Sequence, residues 1–191
     1  MKIHLWPIIM ILAIAFSFAR ADESPLDKAD KLAGAKKYEE ALTLLREYDR
    51  SHPEDVEVHN RIQKILKRQN KQQEAIAEYR ERFEKDPTPF NGYLYARLLE
   101  SPIERETKFR EIVAKDGKFV WGYVGLATAL LDQDRLQDGI DAADEGIKNV
   151  SEPAELDYIK ARIYRRMQDY PAAAAAMREY YRLKPNDETR D

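Results

Sequence analysis

The segment YEEALTLLREYDRSHP, residues 38–53, returns as QQEAIAEYRERFEKDP at residues 72–87, and no other feature of the chain constrains its fold as strongly. Proline or a substitute for it falls at Pro53, Pro87, Gly117, Ser151 and Pro185, with spacings of 34, 30, 34 and 34 residues. Twelve positions before four of these stand the small residues Ala41, Ala75, Gly139 and Ala173, and eight before them Leu45, Tyr79, Ala143 and Met177. The third period aligns on Phe109, eight before Gly117. An earlier segment of each period carries apolar residues at steps of three and four: Ile62, Ile65, Leu66; Tyr93, Ala96; Tyr123, Leu126, Ala127, Leu130; and Ala161, Tyr164. Each period therefore predicts two helices, brought close by the small residues and ended by the terminal Pro or Gly. One such pair cannot bury its apolar face alone, so neighbouring pairs must stack to make a core.

This pattern resembles the tetratricopeptide repeat family, whose period is 34 residues and whose signature runs large-x-x-Leu-Gly-x-x-Tyr, Ala-x-x-x-Phe, Pro. Tyr123, Leu126, Ala127 and Leu130 give the cleanest first helix, Ala41-x-x-x-Leu45 and Ala75-x-x-x-Tyr79 the best second helices. The resemblance implies an all-α, right-handed superhelical solenoid of about five helix-turn-helix repeats with a concave inner surface. It covers residues 22–187, divided as 22–55, 56–89, 90–119, 120–153 and 154–187, with 188–191 as a tail. Repeat three departs from it: Ser101-Pro102 cuts its first helix near Glu100, removing about one turn, roughly 6 Å. That reads either as a local opening of the superhelix that shapes a pocket or as a tolerated loop deletion. In repeat five Lys160 stands where the family usually has Leu, so the register there is open to a shift of one. No further helix follows the last repeat in this sequence, and the face around Met177, Tyr180 and Tyr181 is expected to stay partly uncovered.

Ahead of the repeats, Lys2 precedes an apolar run from Leu5 to Phe18 and then Ala19-Arg20-Ala21, the pattern of a cleaved secretory signal peptide over residues 1–21. The run is too short, at about 14 residues against the roughly 20 needed, for a membrane span. Loss of Lys2 and Arg20 would take the formal charge from -3 by two units to -5, which argues against a nucleic-acid partner. With no cysteine, the chain carries no disulfide, thiolate metal site or cysteine nucleophile. An exported chain without disulfides points to a bacterial periplasm, or otherwise to secretion.

Motifs for chemistry are missing. His52 and His59 straddle a repeat junction with no ligand-spaced carboxylates. The run Asp132-Gln-Asp134-Arg-Leu136-Gln-Asp138-Gly139 suggests a calcium loop, but Leu136 takes a ligand place and Gln137 the place of the required glycine, so it reads as an interhelical turn. There is no phosphate-binding glycine loop and no nucleophile elbow. The expectation is a non-enzymatic protein that needs no metal or cofactor.

Residues three and four apart share a helix face, so the first-helix residues turned away from the partner helix can be picked out. They are Asn60, Arg61, Lys64, Lys67 and Arg68 in repeat two, then Asn91, Leu94, Tyr95 and Leu98 in repeat three. Repeat four contributes Trp121, Val124 and Thr128, and repeat five Tyr158, Arg162, Arg165 and Arg166. Lining a groove, they make an apolar, aromatic middle flanked by two basic zones in an acidic protein. Such a groove suits a protein or peptide segment with acidic residues and a hydrophobic anchor. The leading expectation is an interaction scaffold or adaptor of the bacterial envelope. A second is a carbohydrate-binding or polysaccharide-export accessory using Tyr95, Trp121 and Tyr158 as stacking platforms. A third is a structural protein that self-associates through its C-terminal repeat. Some family members grip chaperone C-termini in the cytosol, a role argued against here by Asp27 and Asp30 on the matching face and by the predicted export.

Overall fold

A computed structural model describes residues 23–185, so the readings for the signal peptide and the tail lie outside the described residues. Within them the chain forms ten α-helices and no strand: α1 Pro25–Gly34, α2 Tyr38–Ser51, α3 Val56–Arg68, α4 Gln72–Lys85, α5 Pro89–Ala96, α6 Pro102–Lys115, α7 Val120–Asp132, α8 Leu136–Asn149, α9 Ala154–Arg166 and α10 Tyr170–Leu183. Local sequence sets many of the helix starts. Ser24, Asp55, Thr88, Ser101 and Asp169 cap α1, α3, α5, α6 and α10 through side-chain oxygens. Pro25, Pro89, Pro102 and Pro171 sit in first turns, where a missing N–H costs nothing.

Odd-numbered helices pair with the even-numbered helix that follows, and among the odd-numbered ones α1 packs on α3, α5 on α7 and α7 on α9. The small residues work as expected: Ala41 and Ala75 are buried, and a Cβ on Gly139 would meet Ile163 at 3.0 Å. Apolar side chains condense into three clusters along the stack, one within α1–α4, one centred on Phe90, Tyr93, Leu94, Phe109 and Leu126, and one joining Tyr123 and Ile140 to Leu156, Ile159 and Ile163.

Four of the five hairpins turn identically. Lys36, Asn70, Asp134 and Gln168 each adopt a left-handed φ of 59–62°, and the amide one residue later bonds back to Leu32, Leu66, Leu130 or Tyr164. This is a helix stop that satisfies two otherwise orphaned carbonyls. The stretch Asp132–Gly139 contains such a turn, between the end of α7 and the start of α8. The hairpin of α5 and α6 has no such residue, since α5 spans 8 residues where α3, α7 and α9 span 13. The connection Arg97–Ser101 instead leads straight into Pro102.

Two details correct the sequence reading. Tyr180 is fully buried and packs on Tyr158 and Tyr181, with ring centroids 5.5 and 5.4 Å away. Met177 and Tyr181 stay partly exposed, as expected, and the most exposed large apolar side chains at that end are Met167 and Tyr170. Lys160, for its part, reaches across to Asp144 with Nζ to Oδ1 at 2.7 Å, so α9 keeps its register by placing a cation where an apolar residue was expected.

Candidate functional site

The inner surface is built from one row of residues on each first helix. On α3 the row is Asn60, Lys64 and Lys67; on α7 it is Trp121, Val124 and Thr128; on α9 it is Glu155, Tyr158, Arg162 and Arg165. The rows line three recesses that run into one another. A notch of about 580 Å³ lies between α3, the start of α4 and the Arg97–Glu100 connection. A central recess of about 290 Å³ is walled by Tyr93, Trp121, Thr128 and Tyr158, and one of about 280 Å³ lies between α9 and α10. Asn60, Arg97 and Arg105 border both the notch and the centre, and Tyr158 and Arg162 border both the centre and the last recess.

Among the residues expected from sequence, the structure brings together Asn60, Lys64, Lys67, Leu98, Trp121, Val124, Thr128, Tyr158, Arg162 and Arg165. Six others go elsewhere. Arg61 lies about 100° around the helix from Asn60 and is held by Asp30 at 3.0 Å and Glu57 at 3.1 Å. Arg68, at the end of α3, is exposed and lines none of the three recesses. Asn91 is buried, taking the Arg82 Nε–H at 2.7 Å and donating to the Asp86 carbonyl at 2.9 Å. Tyr95 faces back onto α4, stacked on Phe83, with Arg80 Nε donating to its hydroxyl at 3.2 Å. Leu94 is wholly buried, and Arg166 pairs with Asp134. In repeat three the inward residues are Tyr93, Arg97 and Leu98, of which only Leu98 belongs to the row read from sequence.

Sequence reasoning missed Tyr93, Arg97, Arg105 and Glu155. Arg97 follows Tyr93 by four, a signal that was present. Arg105 belongs to a second helix, α6, and borders the groove beside the short α5.

The charges are arranged unevenly. Many cations on the outer surface and edges are matched: Arg46 with Glu78 at 2.9 Å, Arg135 with Glu106 at 2.7 Å, Lys160 with Asp144. Inside the groove, Lys64, Lys67, Arg97, Arg162 and Arg165 have no carboxylate partner among the described residues. Of the two acids there, Glu155 is already paired with Lys184 at 2.6 Å, and Glu100 receives a hydrogen bond from Gln73 at 3.4 Å. Trp121 is half-buried against Tyr93, ring centroids 5.6 Å apart, and the Arg97 guanidinium lies 5.7 Å from the Tyr93 ring centre. Among the described residues no group of three His, Cys, Asp or Glu could hold a metal ion, and no helix is long and apolar enough to cross a membrane. The inner surface thus sets cations without carboxylate partners on either side of an aromatic centre.

Comparison with known proteins adds the following. A tetratricopeptide repeat family model matches residues 124–188. No curated protein matches the chain significantly. Among solved structures, a thermophilic tetratricopeptide repeat protein of Thermus thermophilus superposes with a TM-score of 0.60 at 13% identity, over 85% of this chain and 91% of that one. MamA of Desulfovibrio magneticus RS-1 gives a TM-score of 0.51 at 18% identity, over 86% and 96%. YrrB, described as a tetratricopeptide repeat protein with an unusual peptide-binding site, gives 0.50 at 11%, over 85% and 86%. At these identities the likeness is one of fold, a tetratricopeptide superhelical solenoid.

Proposed function

Since this chain is a tetratricopeptide repeat protein, we propose that it is a non-enzymatic scaffold or adaptor that holds a peptide or protein segment in its inner groove. The observation that carries this is the set of unmatched cations, Lys64, Lys67, Arg97, Arg162 and Arg165, on both sides of Trp121. A partly desolvated guanidinium without a counter-charge is unfavourable, and an acidic side chain of a guest restores the balance. Trp121, Tyr93 and Tyr158 supply area for an apolar anchor between two acidic stretches. The signal-peptide pattern of residues 1–21 supports placing this adaptor in the bacterial envelope. The sugar-binding reading is weaker on this surface, because Tyr95, one of its three platforms, faces α4.

The test is capture of partners from an envelope extract by the immobilised protein and by variants. Lys64→Glu combined with Arg162→Glu should release the captured protein, with a loss of about tenfold or more in affinity. Arg50→Glu, an exposed residue at the end of α2, should not. Retention by the groove variant at wild-type strength would place the binding surface elsewhere.

A further inference from the structure

The notch is a consequence of the short α5, and its walls differ from the rest of the groove. Four cations, Lys64, Lys67, Arg97 and Arg105, border it, against the one acid Glu100. Only Arg105 among them is neutralised, by Asp132 at 2.8 Å. The wall also carries four buried side-chain atoms without hydrogen-bond partners: Asn60 Oδ1, Gln63 Oε1, Arg97 Nη1 and Arg105 Nε. Buried polar atoms are nearly always paired, and leaving one alone is unfavourable. Four together at one cavity is a feature that asks for an occupant.

The chemistry of the four atoms is specific, since two are cationic donors and two are amide oxygens, which only accept. The amide orientations are fixed by the other ends of the groups. Gln63 Nε2 donates to the Leu94 carbonyl at 2.9 Å, and Asn60 Nδ2 donates to Glu57 Oε1 at 3.3 Å, so the oxygens are left over. Gln63 is only 4% exposed, so bulk water is a poor source of a partner for it. A simple anion such as chloride would answer the guanidinia but not the amides. A neutral sugar would answer the amides but not the guanidinia.

We propose that the notch binds an anionic group presented beside a hydrogen-bond donor, that is, a carboxylate flanked by a hydroxyl or an amide N–H. At about 580 Å³ the cavity is of the size that takes small organic ligands. Two sources share this chemistry: a free hydroxy acid, and an acidic residue of a chain lying in the groove, whose backbone N–H stands next to its carboxylate. Neither needs the rest of the groove to be filled, so the site can be tested without the partner proposed above.

The experiment is calorimetric titration of the full chain with two matched pairs of probes at constant ionic strength. Citrate and tricarballylate carry the same three carboxylates and differ by one hydroxyl. N-Acetylglutamate and glutarate carry the same two carboxylates and differ by an acetamido group, which supplies the amide N–H. The expected result is that in at least one pair the member with the donor binds about tenfold tighter or better. A preference within the first pair identifies a free hydroxy acid as the source, and one within the second an acidic residue of a polypeptide. The exposed Lys67→Glu and the wall variant Arg97→Gln should each abolish that binding while melting as cooperatively as the parent. Lys148→Glu on α8 should leave it unchanged. Absence of binding by all four probes, equal binding within both pairs, or binding that survives Lys67→Glu and Arg97→Gln would overturn the proposal. A groove that captures protein but fails this titration would lose the notch and keep its scaffold function.

Discussion

Gly125 shows how closely a single residue is fitted. It stands in the middle of α7, where replacing glycine by alanine normally adds about 1 kcal/mol of helix stability. A Cβ there, however, would lie 2.3 Å from Cε1 of Phe109. That ring is 2% exposed and packs on Tyr93, so yielding to the new Cβ would cost it core contacts. Gly125→Ala should therefore destabilise the protein by a net amount of about 1–3 kcal/mol in urea unfolding; an unchanged midpoint would mean that the ring yields. His59 makes a second residue-scale case. Its Nδ1 lies 3.0 Å from the Tyr79 hydroxyl, its Nε2 3.0 Å from Asp49 Oδ1, and Phe90 presses on its face. Burial holds the imidazole below its ordinary value of 6.5, Asp49 and Asp55 pull it upward and Arg82 pushes it further down. Because the folded state resists the proton, the unfolded state binds more of it just below 6.5. Stability is then full above that pH and falls as the pH drops toward the lowered folded value, with a slope of up to about 1.4 kcal/mol per pH unit. Urea midpoints taken down this range should slope for the parent and flatten for His59→Gln; parallel curves would show that His59 is not the group responsible.

At the scale of the helix and its turn, the four repeated left-handed residues invite a test. Gln168 lines none of the recesses and holds φ at 62°, a conformation that costs a side-chain-bearing residue about 1–2 kcal/mol. Glycine removes that strain but loses part of the gain to its freer unfolded chain. Gln168→Gly should raise stability by about 0.5–1 kcal/mol, and Asn70→Gly by less, since asparagine tolerates this region well. A fall in the urea midpoint for Gln168→Gly would refute the strain argument. The same elements show what sequence made legible. Helical pairs could be read from the Pro lattice and the three-and-four spacing because stacking demands both. The inner rows of α7 and α9 could be read because 13-residue helices hold one phase from end to end. The row of α5 could not, since 8 residues hold too few turns to define one face by spacing, and Tyr93 and Arg97 line the groove where Asn91 and Tyr95 were expected. Arg61 was misjudged by one residue, a step of about 100°, which is enough to turn it from groove to edge. Arg105 had no signal in its own helix at all, a second helix that borders the groove beside the short α5.

Across the whole molecule, the short repeat also sets where the solenoid is weakest. Stacked repeats are held by nearest-neighbour interfaces, so stability follows the poorest of these. The apolar cluster of α1–α4 is largely closed on itself, while the clusters farther along share helix α7. Between α3–α4 and α5 the contact includes Val56, Tyr79 and Phe90 but also a polar seam: Gln63 on the Leu94 carbonyl and Arg82 on Asn91 at 2.7 Å. The notch removes further contact along this seam, and the hairpin of α5–α6 lacks the turn that locks the others. Local opening should therefore release α1–α4 before α7–α9. In native-state hydrogen exchange, amides of α3 should open with a free energy lower by about 1 kcal/mol or more than those of α7. Occupation of the notch by a guest that touches both sides of the seam should narrow the gap. Equal protection of α3 and α7 in the free protein would mean that the polar seam couples the two parts as tightly as an apolar one, and that the missing turn shapes the surface without weakening the stack.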